Sequence, residues 1–217
     1  SHELKTPLTS IRALIDSLTI GESGIEVYKE YLEDIKEETI RMGQLVNYLL
    51  NSIKLEDINL DIKDEDLKDI VEDTVKLVRP YAEKNGVSII INKIESVNIK
   101  CDRNKIKEVL MNLFDNAVKY RDPDKKQNYI SVSIERNRKE AKLVMEDNGL
   151  GIKGDDMSDI FNRGFRVFDS CIRMDSDKEG YGIGLSIVKN IIEKHGWKIS
   201  AESTYGIGSK FIIRIPM

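Results

Sequence analysis

The opening quarter of the chain is patterned for helices that share one apolar stripe. From Leu4, apolar side chains recur at Leu8, Ile11, Ile15 and Leu18, with spacings of four, three, four and three. That is a heptad seam on one helix. Pro7 lies inside it and removes a backbone hydrogen bond, which predicts a bend near the start. Gly21-Glu-Ser-Gly24 ends the helix and turns the chain. The same spacing returns at Tyr28, Leu32, Ile35, Thr39, Met42, Val46, Leu49 and Ile53, predicting a second helix over 26–55. Two such helices form a hairpin that cannot cover its own stripe, so a dimeric four-helix bundle is expected. The alternative is that both helices pack on the rest of the chain.

The pattern changes near Glu56-Asp-Ile-Asn-Leu60, which reads as a hinge. Residues 64–85 predict an amphipathic helix stopped at Asn85-Gly86. Val87–Asn92 and Val97–Lys100 read as strands, and Asp102 as the cap of a helix Arg103–Tyr120. Asp122-Pro123-Asp124 breaks that helix, and alternating strands follow at Tyr129–Glu135 and Ala141–Glu146. Residues 152–180 are irregular for longer than a compact domain usually allows and read as a mobile lid. A helix Gly182–Lys194 stops at His195-Gly196. Trp197–Ser203, the turn Tyr205–Gly208 and Lys210–Ile215 predict a closing hairpin. Strands and helices without strict alternation predict an α+β sandwich, one mixed sheet with helices on one face.

Composition narrows the function. The 217 residues suit one large domain or two small ones. With 34 basic against 38 acidic residues the net charge is −4, which lacks the basic footprint of a nucleic-acid binder. No apolar run reaches the length of a bilayer span, and no signal peptide is visible. Cys101 and Cys171 stand seventy positions apart without a metal-type companion, the pattern of reduced thiols, one buried and one on a loop, in a cytoplasmic protein.

Three stretches carry candidate chemistry. Asp147-Asn-Gly-Leu-Gly151 follows a predicted strand, so a buried carboxylate there would sit beside close-approaching backbone and would accept from an adenine amino group. As an isolated signal it is also a common turn. Gly180-Tyr-Gly-Ile-Gly184-Leu185-Ser186 opens a helix, whose free amides and dipole favour a phosphate. It lacks the Gly-Lys-Ser/Thr of a Walker loop and the preceding strand of a dinucleotide fold. Asn112, Asn116, Lys119 and Tyr120 share one side of a helix, two amides, a cation and an aromatic suited to a metal-bound polyphosphate. The plainer alternative makes Leu113, Ala117 and Tyr120 the buried face and the amides merely solvated. His2 stands beside Glu3 at the head of the first helix. An imidazole with a pKa of about 6.5 is partly neutral at pH 7 and nucleophilic, and a carboxylate on one ring nitrogen leaves the other for attack. A helix that carried so important a residue at its frayed first turn would be odd, so more helix is expected upstream.

The order of His2-Glu-Leu-Lys-Thr-Pro7, Asn112–Tyr120, Asp147-x-Gly-x-Gly, Phe161–Phe165 and Gly180-x-Gly-x-Gly resembles the sensor histidine kinases of two-component signalling, over essentially the whole chain. The resemblance implies a dimerisation and histidine-phosphotransfer domain at 1–57 and a Bergerat-type ATP-binding domain at 60–217. It implies His2 as phosphoacceptor, Glu3 as its activator and Thr6 as support for a phosphatase reaction on the partner. Asn116 would hold magnesium with Asn112 beside it, Lys119 would contact phosphate, and Tyr120 would lie against the nucleotide. Asp147 would read adenine; Gly149, Gly151, Gly180, Gly182, Gly184 and Leu185 would line the bound ATP. Arg163 would reach the γ-phosphate, although Phe161-Asn-Arg-Gly-Phe165 carries one glycine more than the commoner Phe-x-Arg-Phe. The implied partners are a second copy of the chain and a response-regulator receiver domain, docked below His2 near Arg12 and Asp16. The implied setting is the cytoplasmic portion of a membrane-anchored sensor. Two rivals remain at this point, an ATPase of the gyrase, Hsp90 and MutL type and a nucleotide-sensing scaffold. The first usually carries a glutamate where this chain has Asn112, and both leave His2 without a purpose.

Overall fold

A computed structural model of the protein describes residues 2–20, 27–29, 31–36, 38, 39, 42, 43, 59–162 and 184–217. The chain divides into two compact units, Ser1–Ile58 and Asn59–Met217.

In the first unit, helix α1 runs His2–Ile20 with Pro7 inside its span. The described residues of 27–43 are also helical, whereas the loop 21–26, the seam positions Val46, Leu49 and Ile53, and the hinge 56–58 lie outside the described residues. Leu8 (56%), Ile15 (45%) and Leu32 (59%) of the predicted seam are exposed to solvent.

The second unit is a mixed five-stranded sheet under three helices. Its elements are β1 (Lys63–Asp66), α2 (Leu67–Lys84), β2 (Val87–Ile94), β3 (Asn98–Cys101), α3 (Arg103–Lys119), β4 (Asn128–Arg136), β5 (Glu140–Asp147), α4 (Gly184–Lys194), β6 (Lys198–Thr204) and β7 (Gly208–Pro216). The strand order is β2-β4-β5-β7-β6, parallel only between β2 and β4.

Register explains the core. Val132, Met145 and Phe211 form one cross-strand row, and Ile134, Leu143 and Ile213 the next; all six are buried. Residues one position out of phase, Ser131, Lys142, Glu146, Lys210 and Arg214, remain partly or fully exposed, as a period of two demands. The helices bury stripes at spacings of three and four: Ile70, Val71, Val75 and Val78 on α2, Ile106, Val109, Leu110, Leu113, Phe114 and Ala117 on α3, Val188, Ile191 and Ile192 on α4. At about 25 cal/mol per Å² of apolar area removed from water, each fully buried Ile or Leu among them contributes roughly 2 kcal/mol.

One predicted element is corrected. Residues 64–66 belong not to a helix but to β1, which pairs antiparallel with β3 in a separate two-stranded sheet. Asp66 then caps α2, its carboxylate accepting from the Lys68 amide at 2.8 Å and from the Val97 amide at 3.2 Å. The hydrophobic period cannot reveal this. Lys63, Asp64, Glu65 and Asp66 carry no apolar signal, and their pairing depends on partners at 98–101, beyond α2 and β2.

Candidate active site

The site is built where the two ends of α3 meet other elements. Asp102 caps the first end, its Oδ1 accepting from the amides of Asn104 (3.0 Å) and Lys105 (3.1 Å) and its Oδ2 from that of Asp61 (3.0 Å). Asp102 in turn donates its own amide to His195 Nε2 at 3.1 Å. The His195 Nδ1 lies 2.7 Å from the Ile191 carbonyl, which only accepts, so Nδ1 carries the proton and Nε2 the lone pair. His195 thus closes the last turn of α4 and fastens it to the start of α3. The two helices run antiparallel from that fastening, which brings Asn112 opposite Gly184. A Cβ built on Gly184 would lie 3.0 Å from Asn112 Oδ1 and 4.0 Å from Asn116 Nδ2.

At its other end α3 abuts the turn after β5. Tyr120 follows as C-cap, donating its amide to the Asn116 carbonyl at 2.9 Å, and its carbonyl accepts from the Leu150 amide at 2.9 Å. A Cβ on Gly149 would collide with that same carbonyl, and one on Gly151, whose φ is +69°, with the Thr204 carbonyl. Both glycines are therefore required by the protein's own backbone, a different reason from the nucleotide approach that their spacing suggests.

Asp147 occupies the next row of the core pattern, paired with Ile130 on one side and Ser209 on the other. Ala141, Leu143 and Met145 of β5 point inward, so Asp147 points inward as well, at a position where the alternation calls for an apolar residue. Burial pushes its carboxyl up, and the amides of Gly149 and Ser209 and the charge of Lys125 pull it only part of the way back, leaving it at about 6 against an ordinary 3.8. Its Oδ1 accepts from the Gly149 amide at 2.8 Å. A carboxylate held at such a cost, at the edge of an apolar layer, is suited to accept from a donor that brings little water with it.

The remaining assignments divide. Asn112 and Asn116 are half-buried, with Asn112 Nδ2 donating to the Glu108 carbonyl at 2.8 Å. Lys119 pairs with Asp115 at 2.7 Å, so it would have to leave that carboxylate to meet a phosphate. Leu113 and Ala117 are buried as the plainer alternative expected, but Tyr120 is 38% exposed, so the polar side of α3 stays open. Leu185 is the second residue of α4, directly after Gly184. Arg163, Gly180, Gly182 and Cys171 lie outside the described residues, as do the side chains of His2, Glu3 and Thr6, whose backbone is in α1. Among the described residues no cluster of three or more His, Cys, Asp or Glu could hold a metal ion. A magnesium ion fits here only in the way it commonly binds nucleotide, on one or two protein oxygens plus phosphates and water.

Sequence reasoning missed the fastening of His195 to Asp102. It also missed Asn148, whose Oδ1 accepts from the Tyr129 amide at 2.8 Å and whose Nδ2 donates to the Gln127 carbonyl at 2.9 Å. The phase of Asp147 with Leu143 and Met145 was the signal in the sequence that marked a carboxylate turned toward the core.

With this geometry in place, comparison with known proteins is direct. Residues 101–217 match the histidine kinase-, DNA gyrase B- and HSP90-like ATPase family, and residues 1–58 match the His Kinase A (phospho-acceptor) domain. The sensor protein SrrB of Staphylococcus aureus is 31% identical over 219 residues, covering 100% of this chain. The chain spans 36% of the length of that relative. Among solved structures, the histidine kinase ThkA in complex with response regulator protein TrrA aligns with a TM-score of 0.67 at 23% identity, over 99% of this chain and 59% of that one. Full-length ShkA in complex with AMPPNP aligns at 0.66 and 20% identity, over 99% and 44%. The Acinetobacter baumannii histidine kinase AdeS aligns at 0.59 and 23%, over 100% and 98%. At those identities the structures speak for the fold, a helical region followed by an α/β sandwich. The family matches speak for more: the chain belongs to the histidine kinase-, DNA gyrase B- and HSP90-like ATPases and, with a phospho-acceptor domain ahead of its ATP-binding domain, is the catalytic core of a sensor histidine kinase.

Proposed function

We propose that the chain phosphorylates itself on His2 with ATP and passes the phosphoryl group to an aspartate of a response-regulator receiver domain. The observation that carries this reading is the convergence of Asn112, Asn116 and the start of α4 at one end of the unit, with the desolvated carboxylate of Asp147 beyond the C-terminal turn of α3. Residues 60–217 act as the ATP-binding domain. Asp147 accepts from the adenine amino group, Tyr120 lies against the nucleotide, and Lys119 and Arg163 meet the phosphates. Gly149 and Gly151 shape the adenine side, while Gly180, Gly182, Gly184 and Leu185 form the phosphate side.

Asn116 holds magnesium, with Asn112 beside it. The ion neutralises charge on the phosphates, where phosphoryl transfer depends on positioning and electrostatics. Glu3 holds one nitrogen of His2 so that the other attacks the γ-phosphorus as the bond to the ADP oxygen breaks. Residues 1–57 act as the phosphotransfer and dimerisation domain. The exposed Leu8, Ile15 and Leu32 support a second copy as the cover of that stripe. Thr6 supports dephosphorylation of the response regulator. The solved complex of ThkA with TrrA supports a receiver domain as partner, and the length of SrrB supports a longer sensor, which on this reading is membrane-anchored with this part in the cytoplasm.

The test is incubation with γ-labelled ATP and magnesium. Acid-labile, alkali-stable label on the protein, absent in His2→Gln, is the expected result. Steady phosphate release with no labelled protein would overturn the reading in favour of an ATPase.

A further inference from the structure

Lys125 lies in the loop between α3 and β4, within a run of charges that carries no pattern. Its ammonium donates to the carbonyls of Asn148 at 2.6 Å, Gly149 at 3.1 Å, Gly206 at 3.0 Å and Ile207 at 3.0 Å, with the Asp122 carboxylate at 3.7 Å. Three N–H groups cannot serve four carbonyls in full, so the cage is held by charge as well as by hydrogen bonds. Without a cation those converging dipoles would repel one another. The side chain is 26% exposed, less open to solvent than the surface lysines whose ion pairs contribute little.

The four carbonyls belong to two turns that flank Asp147. One is the turn 148–151 directly after it; the other joins β6 to β7, beginning again at Gly208 beside the Asp147 carbonyl. The Gly206 amide also donates to the Leu150 carbonyl at 2.7 Å. Lys125 reaches both turns, and it does so from a third loop.

We propose that Lys125 is a positioning residue for adenine recognition, its ammonium clamping the two turns around Asp147 into the arrangement that presents that carboxylate to the nucleotide. The proposal rests on the reading of Asp147 above. The charged groups that face Asp147 are Lys125 and Glu146, the first favouring and the second opposing its ionised form. Removing the ammonium therefore also makes the carboxylate harder to ionise.

Calorimetric titration of the whole chain with ATP and magnesium tests this from about pH 5 to 8, in choline chloride and in potassium chloride at equal ionic strength. Lys125→Ala in choline is expected to bind ATP about tenfold more weakly, the scale of one strong charge-assisted contact. The acid side of its affinity profile should lie at higher pH than that of the natural protein. Potassium, which a cage of carbonyls accepts in place of ammonium, should recover most of the loss, while the natural protein is indifferent to the salt. Lys125→Met keeps the length of the side chain, and if the alanine variant fails to fold its pH profile supplies the same reading. Unchanged affinity in choline would overturn the proposal. So would a loss equal in both salts and at every pH, the mark of general loosening. Asp147→Asn separates the two levels: if that variant binds ATP as the natural protein does, the adenine reading itself is wrong.

Discussion

Replacing Asp147 by asparagine should make the nucleotide-free domain more stable at neutral pH while removing its adenine acceptor. The carboxyl stands at about 6, raised from 3.8 chiefly by burial, a difference of about 3 kcal/mol between its two protonation states. Because the folded value is the higher one, the folded state is favoured by the proton. That stability is fully present below 3.8 and is lost as pH rises through about 6. At about pH 8 the natural protein therefore bears the whole cost of about 3 kcal/mol, and at about pH 4.5 only about 1 kcal/mol of it. Asparagine keeps an oxygen for the Gly149 amide but turns an N–H toward that of Ser209, a loss of about 1 kcal/mol that does not depend on pH. The stability difference between variant and natural protein should thus move by about 2 kcal/mol in favour of the variant from about pH 4.5 to 8. Urea unfolding without nucleotide measures it, followed by Trp197, the single tryptophan, which is buried in the second unit. A difference that stays constant across that range would refute the argument that Asp147 is desolvated by its place in the core row.

Two further outcomes follow from side chains away from the nucleotide. Asp102→Ala removes a cap with two helix amides and the tie to Asp61, and should lower the stability of the second unit by about 2 kcal/mol, the upper range for a cap. Burial raises the Asp102 carboxyl, but the amides of Asp61, Lys105 and Asn104 outweigh it and hold the group below its usual value. The pH-dependent part of the natural protein's advantage should accordingly be present above the usual carboxylate value and be lost as pH falls below it, through the lower value of the folded state; urea midpoints that never differ would contradict this. Cys101 is fully buried, and its thiol is pushed up to about 12. Peptide mass spectrometry should find it unmodified by iodoacetamide in the folded protein and alkylated in urea, and equal labelling in both would contradict its burial.

Much of the fold was legible along the chain, because local periods carry it. The stripe on α3, the alternation of β4, β5 and β7, and the caps at Asp102 and Gly196 each depend on residues within a few positions of one another, and the structure has them close to where the pattern put them. The candidate site residues were nameable for the same reason: they stand in short motifs whose residue types suit a nucleotide. Three things depended on folding. β1 needed a partner strand beyond α2 to exist at all, so four consecutive polar residues carried no trace of it. Gly149 and Gly151 took their necessity from Tyr120 and Thr204, neighbours 29 and 53 positions away in the sequence. Lys125, indistinguishable from its neighbours in a charged loop, acquired its cage of oxygens from two distant turns. Periodicity and motif are properties of a segment, whereas desolvation and convergent dipoles belong to groups that only the tertiary structure brings within a few ångströms of each other.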